Sequence, residues 1–412
     1  MSTDNPVLEC NPVDTSFIGL AGLVRQCFSG ATLRQLAMQL SERVAHHPDD
    51  ANALMDISHI LQLLGNRPTA LIMQAHALRC QRLYHLPATI VPAGVRLLAI
   101  MGPGDIKANM SVDLLLEGTD VALDMLYVLP GQPVSVDPCQ YDVAIVAVAE
   151  SDETPPLLQW IAHMVESWKL PVLNVPGRIG LTSRDNAYTI LASAPGIAIP
   201  ITLRITRHIL ERFSTVNGRN AASRAGISFP CIIRPVGSHA GHGLIKAEQP
   251  PEIADYLKAT PDNEFYVAPF IDYRSPDGLF RKYRIALIDG RPFACHMAIS
   301  EHWMIHYVNA GMKESPEKRA EEAHFMVSFD EEFAQRHHVA LQSIYTRMQL
   351  DFLVIDCAET VEGRILIFEI DTGAFVHALD PVDIYPYKQP QMRKVASAFR
   401  EMLYARIPSR QT

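Results

Sequence analysis

Close cysteine pairs are missing from this 412-residue chain: its seven cysteines, at 10, 27, 80, 139, 231, 295 and 357, never come closer than 17 positions. A C-x-x-C zinc or redox motif is thereby excluded, and an odd, unpatterned set fits reduced thiols rather than a disulfide framework. Long apolar runs are missing too. The smoothest, Val143 to Ala149, falls far short of the roughly 18 residues a membrane span needs. The opening MSTDNPVLEC has neither the basic nor the apolar segment of a secretory leader, so the expectation is a cytoplasmic protein with no membrane partner. Basic charge is in deficit, with 36 Lys+Arg against 45 Asp+Glu and a net charge of −9. No global positive field is available for a nucleic-acid backbone, which moves small-molecule chemistry forward. A G-x-S-x-G nucleophile elbow and a G-x-G-x-x-G dinucleotide loop are absent as well. Core material is present: 48% hydrophobic and 20% charged residues over a length that suits two to three domains of about 150 residues.

Helical periodicity comes first along the chain. Leu54, Ile57, Leu61 and Leu64 make one stripe and Leu71, Ala75 and Leu78 a second. Asp49 or Asp50 can cap the first segment, and Gly65 sits where a helix ends. The two segments read as an antiparallel pair of tetratricopeptide size, preceded by a helix over 32–46. After Pro87 and Pro92 the pattern turns strand-like. Val95–Met101, Val121–Val128, Tyr141–Ala149 and Pro171–Val175 predict a parallel α/β unit, and 183–193 a helix. Gly102-Pro103-Gly104, after the first run, reads as a tight turn or a nucleotide loop.

Two stretches carry chemistry. In FPCIIRPVGSHAGHGLIKAE (229–248) an apolar strand ends at Arg234 and opens into Gly237-Ser238-His239-Ala240-Gly241-His242-Gly243 before a second strand begins. Backbone N–H groups of such a loop can approach phosphate oxygens, and a cation at the strand end neutralises them; a plain glycine hairpin is the other reading. In LDFLVIDCAETVEGRILIFEIDTGAF, two strands joined by a hairpin carry Asp351 on one side and Glu369 and Asp371 on the other. Glu369 and Asp371 share a face by the strand period, and pairing across the hairpin can bring Asp351 beside them. An oxygen-only set of this kind suits Mg²⁺ or Mn²⁺ bridging nucleotide phosphates.

From Val95 onward the order of these stretches resembles the ATP-grasp superfamily of carboxylate–amine ligases, in its D-alanine–D-alanine ligase and ribosomal-protein glutamate ligase branches. The resemblance implies an α+β fold: a Rossmann-like pre-ATP domain (91–200), a small lobe with the glycine-rich loop (201–275) and a large lobe with the metal site (276–412), behind a small all-α, tetratricopeptide-like domain (1–90). It implies ATP as cofactor with Mg²⁺ or Mn²⁺ at Asp351, Glu369 and Asp371. Arg184 and Arg234 stand where the family has phosphate-binding lysines, and the loop residues Gly237, Ser238, His239, Gly241 and Gly243 where it covers the phosphates. Pro269 and Ile271 match the adenine hinge, Asp272 the ribose position, and Arg284 the arginine that steadies the transferring group. Arginine for lysine keeps phosphate binding as a bidentate fork while changing reach. The third metal position, usually asparagine, is Asp371, and Thr372-Gly373-Ala374-Phe375 replaces the family's following run.

The implied reaction turns a carboxylate into an acyl-phosphate that an amine of an amino acid, peptide or related metabolite captures; a nucleotide-binding regulator of the same fold is the alternative. His302, Trp303, His306 and Tyr307 are the candidate acceptor-pocket lining. His302 and His306, four apart, could hold zinc on a helix, but the alternation through Cys295–Ile299 favours a strand running into a loop. The helical front end is expected either to build a homodimer or to recruit a peptide.

Overall fold

The computed structural model describes residues 16–28, 32–133, 136–238 and 241–407. Four helices open the described chain: α1 (Gly19–Phe28), α2 (Leu33–His46), α3 (Ala51–Leu63) and α4 (Arg67–Cys80). A capping box between Thr32 and Gln35 starts α2. Of the two candidate caps for α3 the chain uses Asp50, which accepts from the Ala53 N–H at 2.9 Å. Gly65, at φ +81°, terminates α3, and a short turn leads into α4, which packs back along it. One buried carboxylate anchors the start of α1: Asp56 accepts from the Ile18 and Gly19 N–H groups at 2.9 and 3.0 Å. A second, Asp113, accepts from Ala21 N–H at 2.8 Å and ties α1 to the next layer.

That layer is a five-stranded sheet of β1 (Leu83–Leu86), β2 (Val95–Met101), β3 (Val121–Tyr127), β4 (Val143–Val146) and β5 (Val172–Leu173), in the order β1-β3-β2-β4-β5. The pairings among β2 to β5 are parallel, as the four apolar runs predict, and β1 adds antiparallel to β3. Residues 97–100 and 143–146 are wholly buried, the signature of a sheet covered on both faces. Gly102-Pro103-Gly104 is a turn against the helices: the Gly104 N–H and C=O each pair with the Gln74 amide at 2.8 Å.

β6 (Ile197–Ala198) follows, then β7 (Leu203–Thr206), β8 (Cys231–Pro235), β9 (Ile245–Ala247) and β10 (Glu264–Pro269). The last four form an antiparallel sheet ordered β7-β10-β8-β9, with its own core around Leu210, Ile233, Ile253 and Phe265. β11 (Phe280–Ile288), β12 (Arg291–Ser300), β13 (Phe352–Glu359) and β14 (Ile365–Asp371) make the third sheet, β12-β11-β13-β14-β6, antiparallel apart from the β14–β6 pair. The long helix Lys388–Arg406 packs on β11 and β12. Arg400 grips both Asp120 oxygens at 2.5 and 2.6 Å and Tyr404 donates to the same carboxylate at 2.7 Å, fastening this helix to the first sheet. No helix among the described residues is long and apolar enough to cross a membrane.

His59 on α3 is half-buried, its Nδ1 out of reach of solvent and without a hydrogen bond among the described residues, and burial lowers its pKa to about 4. The unfolded imidazole binds its proton near pH 6.5, so His59 withdraws stability as pH falls from there through 4, by roughly 3 kcal/mol. Asp56, pushed by burial up to about 7, acts with the opposite sign over an overlapping range. The variant must therefore be compared with wild type at each pH. We predict that His59→Phe, with denaturant unfolding as the measurement, gains relative stability on acidification from pH 7 to 4.

Candidate active site

The second and third sheets face each other across a cleft whose cavity has a volume of about 570 Å³, with the first sheet closing one end through Lys107, Ala149 and Glu150. Four side chains stand in one transverse row on the third sheet. His296 on β12 lies opposite Arg284 on β11, Arg284 opposite Asp356 on β13, and Asp356 opposite Glu369 on β14. Directly opposed residues share a face, so the row points one way. Two bulges make this possible. Beside the row, Cys295 and Phe368 are extra residues, so that Ala294 and His296, and likewise Ile367 and Glu369, fall on opposite faces although two apart. Apolar residues keep the core side while the polar ones turn to the cleft.

Charge balance in the row is tight. Arg284 clasps Asp356 through Nε and Nη2 at 2.8 and 3.0 Å and donates from Nη1 to the Phe375 carbonyl at 3.1 Å. Lys282, two residues earlier on β11, adds an ion pair to Asp356 at 2.7 Å. Burial opposes the charge on Asp356, but the two cations overcome it and hold its carboxyl well below the ordinary range. Glu369 is likewise kept low against burial, by Arg184, whose Nη2 lies 2.6 Å from Oε1 and whose Nη1 donates to the Phe368 carbonyl at 2.6 Å. Asp371 lacks such a cation and accepts from Gly373 N–H at 2.7 Å; burial and the neighbouring Glu369 push it up to about 6. Glu150 is pushed to about 7 by burial and then by Asp152, Asp185 and Asp371.

The carboxylate set differs from the sequence expectation at one position. Asp351 is not beside Glu369: it precedes β13, accepts from Asn174 N–H at 2.8 Å and from Arg406 at 3.1 Å, and serves the junction between the first and third sheets. The reason is register. The hairpin turn at 360–364 pairs Glu359 with Ile365, so with the bulge at Phe368 the residue facing Glu369 is Asp356, and Val354 faces Asp371. Counting outward from the turn pairs Glu369 with Ile355, and only the bulge at Phe368 moves it opposite Asp356. Lys282 was legible in the sequence, as the residue sharing the strand face of Arg284.

The other expected residues fall as follows. Arg184, Arg234, Gly241, Pro269, Ile271, Arg284, Trp303, His306 and Tyr307 line the cleft. Arg234 donates from Nε to Ser238 Oγ at 3.1 Å and from Nη2 to its carbonyl, and burial, then Arg184, lowers its pKa to about 10. Gly237 and Ser238 border a smaller recess beside Glu150, Glu369 and Asp371. A Cβ at Gly241, at φ +71°, would lie 2.4 Å from His306 Nε2 at the tip of that side chain, so the glycine loop rests on the segment around His306. Gly243, at φ +66°, packs against Pro235. His239 lies outside the described residues. Ile271 makes no hydrogen bond within the described protein, which leaves its N–H and C=O available to a ligand. Asp272 is exposed, pairs with Arg274 at 3.6 Å and does not line the cavity, so the ribose position is not brought to the cleft. His302 is exposed and also lies outside the lining, its N–H bonded to Ser300 Oγ at 3.1 Å. Neither His302 nor His306 is on an α-helix, which removes the helical zinc geometry. Tyr307 is fixed from behind, donating to buried Glu322 at 2.7 Å and accepting from Lys388 at 2.6 Å. Its ring lies 4.9 Å from that of His296, whose pKa burial and then Arg284 hold well below the usual value.

No family model matches the chain, and no curated protein matches it. Similar solved structures include the D-alanine–D-alanine ligase from Bacillus anthracis complexed with ATP, at 13% identity over 76% of this chain and 98% of that one, TM-score 0.43. The VanG D-Ala:D-Ser ligase from Enterococcus faecalis has 15% identity over 75% and 99%, TM-score 0.45. A RimK domain ATP-grasp protein from Sphaerobacter thermophilus has 15% identity over 75% and 99%, TM-score 0.41. At these identities the likeness concerns the fold alone. An α+β architecture, with two sheets facing each other across a cleft beside a parallel unit, is what the strands form.

The corrected register separates two carboxylates by experiment. Asp351→Asn should cost ~1 kcal/mol of stability. Asp356→Asn leaves two half-buried cations without their carboxylate and should cost ~2–3 kcal/mol. Denaturant unfolding checks both.

Proposed function

We propose that the chain is an ATP-dependent ligase that activates a carboxylate and joins it to an amine of an amino acid, peptide or related metabolite. The observation that carries this reading is the row His296–Arg284–Asp356–Glu369 facing a cleft that also holds Arg184 and Arg234. A substrate carboxylate oxygen attacks the γ-phosphorus, the bond to the β-phosphate oxygen breaks, and ADP leaves. Arg184, Arg234 and Lys282 face the negative charge of the phosphates and Arg284 that of the transferring group. The amine nitrogen then attacks the acyl carbon, phosphate departs, and the amine loses its proton. Trp303, His306 and Tyr307 restrict water, which would otherwise hydrolyse the acyl-phosphate.

Glu369 and Asp371, with Asp356 beside them, would hold Mg²⁺ or Mn²⁺: a buried, oxygen-only set suits a hard cation. Such an ion neutralises phosphate charge when bound. As they stand, these oxygens are not drawn together within 4.8 Å; Arg184 holds Glu369, and Arg284 and Lys282 hold Asp356. The adenine would lie along Pro269 and Ile271. A second reading, a nucleotide-binding regulator without turnover, is favoured by that Arg184–Glu369 pair, which occupies a carboxylate the reaction needs.

Calorimetric titration of ATP with and without Mg²⁺ tests the common core of both readings. Wild type should bind in a metal-dependent manner and Glu369→Ala should lose it. ADP release from a panel of amino acids and dipeptides then separates them: stimulation by a carboxylate–amine pair supports the ligase, and binding with no stimulated release supports the regulator. Absence of nucleotide binding would overturn both.

A further inference from the structure

Away from the cleft, on the helical front end, Asp49, His76 and Cys80 bring one donor atom each within 4.8 Å of one another. Two elements converge to do so. His76 and Cys80 are four apart on α4 and so share a face. Asp49 comes from the turn between α2 and α3, immediately after Pro48. Its neighbour Asp50 is committed elsewhere, capping α3 and pairing with Arg43 at 2.8 Å, whereas the carboxylate of Asp49 faces the Cys80 thiol, with 3.9 Å between Oδ1 and Sγ. At ordinary tetrahedral zinc bond lengths, sulfur and oxygen ligands sit about 3.6 Å apart, so the backbone already holds these two at close to ligand spacing. The cysteine and aspartate are exposed and the histidine half-buried, which lets water complete a fourth position.

We propose that Asp49, His76 and Cys80 form a surface site for a zinc-class divalent cation, one that staples the α2–α3 turn to the end of α4. The donor set decides the class. One sulfur, one nitrogen and one oxygen suit Zn²⁺ or Co²⁺, while Mg²⁺ and Ca²⁺ take oxygens, as in the cleft. On binding, the Cys80 S–H bond breaks, its proton goes to solvent, and the sulfur lone pair forms the metal–sulfur bond. The consequence is mechanical. Gln81, which follows Cys80 directly, bonds through its amide to the Leu83 carbonyl at 2.5 Å and to Asn52 at 3.4 Å, so the staple would lie at the junction where the helices pass into β1.

The test is a Co²⁺ titration of chelator-treated full-length protein followed by absorption. The expected result is one equivalent showing a sulfur-to-cobalt charge-transfer band that Zn²⁺ abolishes by displacement. Cys80→Ser should remove the band, and His76→Gln should weaken Co²⁺ affinity about tenfold or more. Cys80 is exposed and His76 only half-buried, so circular dichroism should show unchanged folds. Cobalt on the cleft carboxylates would give no such band, because those ligands hold no sulfur, and the outcome is independent of whether the ligase reading stands. No band, a band that survives Cys80→Ser, or an affinity indifferent to His76→Gln would overturn the proposal.

Discussion

Everything in the cleft depends on one buried anion being matched where it stands. Asp356 sits in the middle of an apolar strand, on a sheet whose opposite face is core, and an unpaired carboxylate there would be several kcal/mol too costly to keep charged. Arg284 and Lys282, from the adjacent strand, match it with a bidentate grip and a point charge. Because Arg284 is held on Asp356, its position is fixed relative to Glu369 and His296 on either side. The row is stiff for that reason, and a stiff row with a cation beside two carboxylates is a prepared electrostatic environment.

How far the sequence spoke depended on the range of the interaction. Local signals were clear: the four apolar runs became the parallel sheet, Gly65 ended a helix, and Arg234 led from a strand into the glycine loop. Pairing was less legible. Asp351 was an attractive third carboxylate because it stands at the head of the right strand, and only the hairpin register and a one-residue bulge put Asp356 in its place. Surroundings decided the remaining cases. Asp272 and His302 sit within two residues of genuine lining, yet the chain turns them outward, and neither periodicity nor motif records which way a loop residue faces.

The end of the cleft around Tyr307 shows a different use of buried charge. Lys388 and Glu322, nearly inaccessible, hold the Tyr307 hydroxyl between them, and the Lys388 ammonium also lies 4.0 Å from the centre of that ring. The effect is to rigidify a loop from beneath while the glycine loop rests on it from above, at Gly241. A wall built in this way is defined by its supports, so its shape is set by residues that never meet the substrate.

The polar ties between layers are distributed unevenly. Asn174, fully buried, exchanges two hydrogen bonds with the Phe352 backbone at 2.9 Å and lends its own N–H to Asp351, while Asp120 binds Arg400 and Tyr404. These weld the parallel sheet and the third sheet into one body. The β7–β10 sheet has its own separate core, and its ion pair to the parallel sheet, Arg204 to Asp152 at 2.7 Å, is half exposed and correspondingly weak. Of the three sheets, the small one is therefore the layer whose displacement would leave the carboxylate row intact.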